Sequence, residues 1–308
     1  MSEKINIIVV VYEKEINELH LLLKSIDLYF DKNSLRNILI TTQESGEELK
    51  NNLIEMVENY PNIKDYIKIN SQSSLIGKVK NLHGWTIQQL LKIRAADNSE
   101  GEHSLVLDCK NHFINYTTSD DFLDSGIPKY KLSSILERFE GDSKSVLNIN
   151  FVNSYQLFNL DPKNYLESTF GSITPFILKK SIIKEMIVYV EEKFKKDFNE
   201  LFLYQLKCAE FYMYGAFLHS KRVLNIDYLI EKKRVAILIW ESNRRDENYL
   251  NWTLGEIAKN NIKIFGVHKK AYENISPLIF LGIVNLWKSK GFFDSYVREL
   301  TNKFEIKD

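Results

Sequence analysis

The chain has 308 residues, enough for one large domain or two small ones and for a sizeable core. Lys plus Arg and Asp plus Glu both number 41, so the formal charge is zero and gives no argument for nucleic acid, where a basic stripe is expected. Hydrophobic residues make up 44 %, as in soluble globular proteins, and the two cysteines, Cys109 and Cys208, form no CxxC or Cys/His cluster. A zinc site and a disulfide framework are thereby disfavoured, and a reducing cytoplasm is expected.

In chain order, the β-branched run INIIVVVY (5–12) reads as a strand buried on both faces. Its apolar part, Ile7 to Val11, is too short for a signal-peptide core. Apolar residues at helical spacing predict a helix over 15–30, and LRNILITTQES (35–45) is a second strand. A helix over 46–60 closes at Pro61, a third strand is expected within 63–70, and GWTIQQLLKIRAA (84–96) is a helix. HSLVLD (103–108) is the next strand and ends on an acid, Asp108. Strands alternating with helices predict a doubly wound, mostly parallel sheet, with its ligand beyond the carboxyl ends of the strands. Tyr12 and Asp108 fall at that edge. The glycine-rich dinucleotide fingerprint and the P-loop are both absent.

Beyond residue 115 the pattern changes. The segment 144–160 reads as a strand, 171–178 as a short strand carrying Thr174-Pro175, and 181–194 as an amphipathic helix. Residues 200–221 read as one aromatic-rich helix, 234–240 as a strand, 248–261 as a helix, and IKIFGVH (262–268) as a strand ending on His268. The longest apolar run, 275–287, reads as a packed helix or as one lying on a membrane surface, and is too short to span a bilayer. The expected organisation is one compact domain, with an N-terminal nucleotide-type half, 1–115, and a second half with C-terminal helices, 116–308.

Five stretches, GWTIQQLLKIRAA, SLVLDCKNHFI, GSITPFIL, CAEFYMYGAFL and IFGVH, occur in an order that resembles bacterial GT-A-type glycosyltransferases, particularly a group of surface-polysaccharide transferases. The resemblance covers roughly residues 5 to 270. It implies a GT-A-like (Rossmann-like) mixed sheet flanked by helices, a nucleotide-sugar donor, and a glycan or lipid-linked acceptor in capsule or lipopolysaccharide synthesis. It also implies peripheral attachment at the inner face of the plasma membrane as one localisation. In that family an Asp-x-Asp at the strand tip usually holds Mn²⁺ or Mg²⁺, which neutralises the diphosphate. Here Asp108-Cys109-Lys110 has lysine in place of the second acid. Two accounts stay open: Asp108 and His268 hold a metal, or Lys110 neutralises the phosphates directly.

The candidate donor-binding residues are Val11, Tyr12, Gln88, Gln89, Lys92, Asp108, Lys110, Asn111 and Lys269. Gln88 and Lys92 are four apart on one helix and share a face, with Gln89 beside them; His112 is a further sugar contact or a turn residue. Glu210 stands among Phe211, Tyr212, Tyr214 and Phe217; burial would raise its pKa and suit it to act as base on the acceptor hydroxyl in an inverting transfer. Asp120 and Asp121 read as a loop or helix cap rather than a catalytic pair. Two other classes remain: a non-catalytic glycan- or partner-binding protein, and a nucleotidyltransferase.

Overall fold

A computed structural model describes residues 3–43, 47–79, 82–142, 144–240, 247–272, 275–292 and 297–298. Strands β1 (Ile5–Val11), β2 (Leu35–Thr42), β3 (Ile67–Ser71) and β4 (His103–Leu107) lie parallel, and β8 (Phe176–Lys179) runs antiparallel to β4. The order is β3-β2-β1-β4-β8. All seven residues of β1 are buried, which explains its unbroken apolar run at the centre of the sheet. Chain order reverses between β1 and β4: β2 and β3 extend one way from β1, and β4 lies on its other side. An open α/β sheet forms its crevice at such a reversal.

The longer helices flank this sheet. They are α1 (Ile16–Tyr29), α2 (Glu47–Val57), α3 (Gly84–Asn98), α4 (Val146–Leu157), α5 (Lys180–Phe194), α6 (Glu210–Lys221), α7 (Glu247–Lys259) and α8 (Pro277–Ser289). A second sheet joins β10 (Ala236–Ile239), β11 (Ile264–Val267) and β5 (Asn111–Phe113), with β11 antiparallel to β5. A third, small sheet contains β6 (Leu123–Asp124), β7 (Ile127–Tyr130) and β9 (Leu229–Ile230). One apolar core lies around the five-stranded sheet; another, under β10, β11, α7 and α8, includes Phe265, Phe280 and Trp287. The architecture is therefore the expected α/β one, a mostly parallel mixed sheet flanked by helices.

Two expectations are corrected, and the two readings of a third segment are resolved. Residues 144–160 form helix α4, not a strand. Ser145 caps it by accepting from Asn148 N at 3.4 Å, and Asn148, Phe151 and Tyr155 turn inward at helical spacing. The apolar run hid this because Asn148 is a polar residue facing inward: its amide donates to the carbonyls of Arg138 at 3.1 Å and Asp142 at 2.6 Å. Residues 200–221 are not one helix. The chain breaks at Lys207, which is left-handed at φ 48°, and restarts at Glu210. The 275–287 run is a packed helix: Pro277 follows the cap Ser276, and Ile279, Phe280, Ile283, Val284 and Trp287 are buried. Among the described residues, no helix is long and apolar enough to cross a membrane.

Candidate active site

At the reversal point the tips of β1 and β4 carry Tyr12 and Asp108. The β4 tip turns tightly into β5. Asn111 N donates to the Asp108 carbonyl at 2.9 Å, and the Asn111 side-chain oxygen accepts from Asp108 N at 2.7 Å. This clasp fixes Asp108-Cys109-Lys110 as a turn. Asn111 itself is fully buried, and its oxygen belongs to the turn.

The Asp108 carboxylate is surrounded by cations. Lys92 Nζ from α3 lies 2.9 Å from Oδ1, and Lys110 Nζ bonds Oδ2. The Thr174 hydroxyl, just before β8, lies 2.9 Å from Oδ2 and 2.8 Å from the Asn111 side-chain oxygen, with one proton to share. Burial alone would raise the Asp108 pKa, but Lys110 and Lys92 hold it well below the usual carboxylate range.

Lys92 also meets Glu210. Its Nζ is 3.3 Å from Glu210 Oε1, and the two side chains are 6 % and 7 % exposed. Burial would lower the Lys92 pKa; Asp108 and Glu210 reverse that and hold the ammonium charged. Burial raises the Glu210 pKa, and Lys92 opposes this only in part. Glu210 opens α6, where the helix dipole favours an acid. Its backbone N–H donates to Gln89 Oε1 at 3.1 Å, so Gln89 positions the helix that carries Glu210. Of the α3 trio, Gln89 and Lys92 are the inward pair, while Gln88 is only half-buried. Gln89 and Lys92, three apart on α3, are the pair that α6 packs over.

Val11 is buried and offers its carbonyl to Gln43 N at 3.2 Å. Tyr12 is half-buried beside Gly84, where an added Cβ would lie 2.9 Å from its hydroxyl. Cys109 is buried, its thiol pushed far up by burial. His112 is not at the site: Trp287 Nε1 donates to its Nε2 at 2.7 Å inside the second core. Asp121 closes a capped turn, its carboxylate accepting from Thr118 N at 2.9 Å, as expected of a structural acid.

His268 stacks on Trp240 with ring centroids 4.9 Å apart, and Lys110 Nζ sits 4.7 Å from the Trp240 ring centroid. The histidine thus backs the aromatic platform under Lys110. The Lys269 side chain lies outside the described residues. Among the described residues, no group of three His, Cys, Asp or Glu side chains gathers to hold a metal ion. Both Asp108 oxygens already face ammonium groups, so this donor set does not suit a divalent cation. Thr174 and Trp240 belong to the site but were missed as site residues. Thr174-Pro175 reads only as a strand start, and Trp240 only as the end of an apolar run.

Beside this tip lies a cleft of about 420 Å³ between the β7, β9 and β10 segments and the start of α7. Thr174 and Trp240 line it and connect it to Asp108 and Lys110.

Residues 3–250 match the protein family DUF6492, described as a family of unknown function. None of the curated proteins matches the chain. Among solved structures, the apo bifunctional glycosyltransferase WbbM is similar over 98 % of this chain and 52 % of its own, at 12 % identity and a TM-score of 0.51. The galactosyltransferase LgtC, in complex with donor and acceptor sugar analogues, is matched over 96 % of this chain and all 100 % of its own, at 12 % identity and a TM-score of 0.49. The glycosyltransferase GlyE of Streptococcus pneumoniae TIGR4 is matched over 99 % of this chain and 64 % of its own, at 11 % identity and a TM-score of 0.42. At such identities the likeness is one of fold.

Proposed function

The chain belongs to the DUF6492 family, and we propose that this member is a glycosyltransferase that moves a sugar from a nucleotide-sugar donor to a hydroxyl of a surface glycan. One observation carries the reading: a carboxylate, Asp108, held between two lysines at the reversal point of a parallel sheet. Such points take nucleotides. The fold shared with WbbM is consistent with this.

In the proposed reaction the acceptor oxygen attacks the anomeric carbon as the bond to the diphosphate breaks. The diphosphate leaves with the bonding pair, and the acceptor proton passes to a carboxylate. Lys110 is the cation proposed to meet the diphosphate, in place of a metal. It is the more exposed of the two lysines, 14 % against 6 %, and its platform, Trp240, borders the cleft. An ammonium is a serviceable phosphate partner. Lys92 is proposed to stay behind Asp108 and fix its orientation. The proposal that Glu210 takes the proton rests on its raised pKa. Its place behind Lys92 also gives it a holding role, and the two roles separate by experiment below.

The test is thermal melting with UDP, GDP, CMP, ADP and dTDP, each with and without Mn²⁺. A nucleotide at 100 times its Kd adds about 2.7 kcal/mol of stability, which is readily seen. A shift that needs no metal and disappears in Lys110→Ala is the expected outcome. A shift that requires Mn²⁺ would overturn the metal-free part of the proposal. No shift with any nucleotide would sink the transferase reading and leave a binding protein.

A further inference from the structure

The chain is neutral overall, but the cleft beside Asp108 is not. Its lining carries Lys129, Lys131, Lys233 and Arg234 against Asp121 and Glu231. Both acids already face cations: Glu231 lies 4.0 Å from Lys129, and Asp121 lies 3.3 Å from Lys263. Lys131, Lys233 and Arg234 are exposed, and among the described residues none of the three has a carboxylate partner. Among the described residues the cleft lining therefore carries more positive than negative charge, although the chain as a whole is balanced at 41 and 41.

The same walls are aromatic. The Arg234 guanidinium lies 5.6 Å from the ring centroid of Trp252, which is 43 % exposed, and Tyr249 packs beside that ring at 5.6 Å. Trp240 closes the end nearest Lys110. Exposed aromatic surface within a concave site marks a binding surface. Flat rings suit the C–H faces of sugar rings, and nearby guanidinium and ammonium groups suit carboxylates or phosphates on them.

The position also matters. The donor reading occupies the tips of β1 and β4, whereas the cleft lies on the β8 and β10 side of Asp108. Thr174 joins the two, its hydroxyl 2.9 Å from Asp108 while its residue lines the cleft. A molecule held in the cleft would present a hydroxyl toward Asp108 from the side opposite β2 and β3.

We propose that the cleft is the acceptor site and that the acceptor is an anionic glycan, one whose sugars or polyols carry carboxylate or phosphate groups. This rests on the transferase reading and names its acceptor class. A single-stranded nucleic acid would also use cations and aromatics. It needs a basic groove long enough to follow a backbone, and the 420 Å³ cleft accommodates only a few sugar rings.

The test is a tryptophan-fluorescence titration of the full chain, without nucleotide, using tetragalacturonate, an oligo(glycerol phosphate), maltotetraose and a short oligothymidylate. One of the two anionic polyols is expected to bind, more weakly as salt is raised, and which of them binds identifies carboxylate or phosphate. Maltotetraose is expected to bind at least about tenfold more weakly, the scale of losing a hydrogen bond to a charged group. The double variant Lys233→Ala, Arg234→Ala should lose affinity by about tenfold or more for the same reason, with its melting temperature unchanged because both side chains are exposed. Lys131→Ala supplies a second, independent loss. Equal binding of maltotetraose, unchanged affinity in all these variants, no binding of either anionic polyol, or tighter binding of oligothymidylate would each overturn the proposal. Nucleotide melting shifts are read in parallel. A shift without polyol binding fails this inference alone, and polyol binding without a shift fails the transferase reading instead.

Discussion

Lys92 and Glu210, 118 residues apart in the chain, meet at 3.3 Å in a setting almost closed to water. The same ammonium lies 2.9 Å from Asp108, so one lysine links α3, the β4 tip and the start of α6. Three elements that could shift independently are thereby fixed around one charge.

Removing that charge should be costly. Lys92→Met leaves Asp108 and Glu210 without their shared cation. Breaking a buried pair from one side typically costs about 3–5 kcal/mol. Protonation of Glu210, whose pKa is already raised, should recover part of this. Urea unfolding is expected to show a loss within that range at neutral pH and a smaller one in acid. A loss below about 1 kcal/mol, as at exposed pairs, would show that the three groups are not coupled.

Glu210→Gln separates two roles. If Glu210 accepts the proton, the variant should bind nucleotide normally and lose transfer by about a hundredfold or more, the scale of general-base catalysis. If it only holds Lys92, nucleotide affinity and melting temperature should fall together with activity. Nucleotide melting shifts and initial rates, read side by side on one preparation, decide between them.

Acid sensitivity should trace in part to His112. Trp287 donates to Nε2, so the ring is neutral with Nδ1–H toward the Lys110 carbonyl at 3.3 Å, and burial pushes its pKa down to about 3. The unfolded chain takes up a proton near pH 6.5 that the fold refuses until about 3. This contribution is complete above that window and is lost as pH falls through it. His219, pushed down to about 4 by burial, acts in the same direction, and Glu210, raised, acts in the opposite one. His112→Gln keeps an acceptor for Trp287 and removes the imidazole. Between about pH 7 and about pH 4.5 it should lose about 2–3 kcal/mol less than the parent chain. Parallel declines in urea midpoint would rule His112 out as a source.

Gly266 on β11 faces the turn from the other sheet. An added Cβ would lie 2.8 Å from the Lys110 carbonyl and 3.2 Å from Asn111 Nδ2. The first of these is backbone and cannot rotate aside. Gly266→Ala should cost about 1–3 kcal/mol by overpacking and weaken nucleotide binding by displacing Lys110. Gly255→Ala, with open space around its Cβ inside α7, should instead gain about 0.5–1 kcal/mol. Melting temperatures of the pair check both signs.

The sheet was legible because its strands are continuous apolar runs, and a strand buried on both faces leaves that pattern in sequence. Asp108 was legible because an acid at the tip of such a run is conspicuous. Glu210 was visible from its aromatic neighbours, but its helix start was not, since nothing in FYMYGAFL marks the backbone turn at Lys207. Helix α4 was misread because its inward residues include Asn148 and Asn150, polar side chains that an apolar count does not register as buried, and the Asn148 amide is satisfied by the carbonyls of Arg138 and Asp142. The pairing of Lys92 with Asp108 and Glu210 lies in tertiary packing, which spacing along one helix does not reveal. Thr174 and Trp240 carry no local signal of their own, and only the meeting of two sheets places them beside the tip.

The turn at Asp108 is also a joint between layers. Strand β4 belongs to the large sheet; four residues later the chain is already hydrogen-bonded into the other one, where His112 pairs with Phe265. Neither sheet can slide past the other without tearing the Asn111 clasp. The segment that would grip the phosphates is consequently a rivet rather than a lid. Substrate arrival should be registered by rotation of the Lys110 side chain, and heating should release both layers in a single endotherm rather than two.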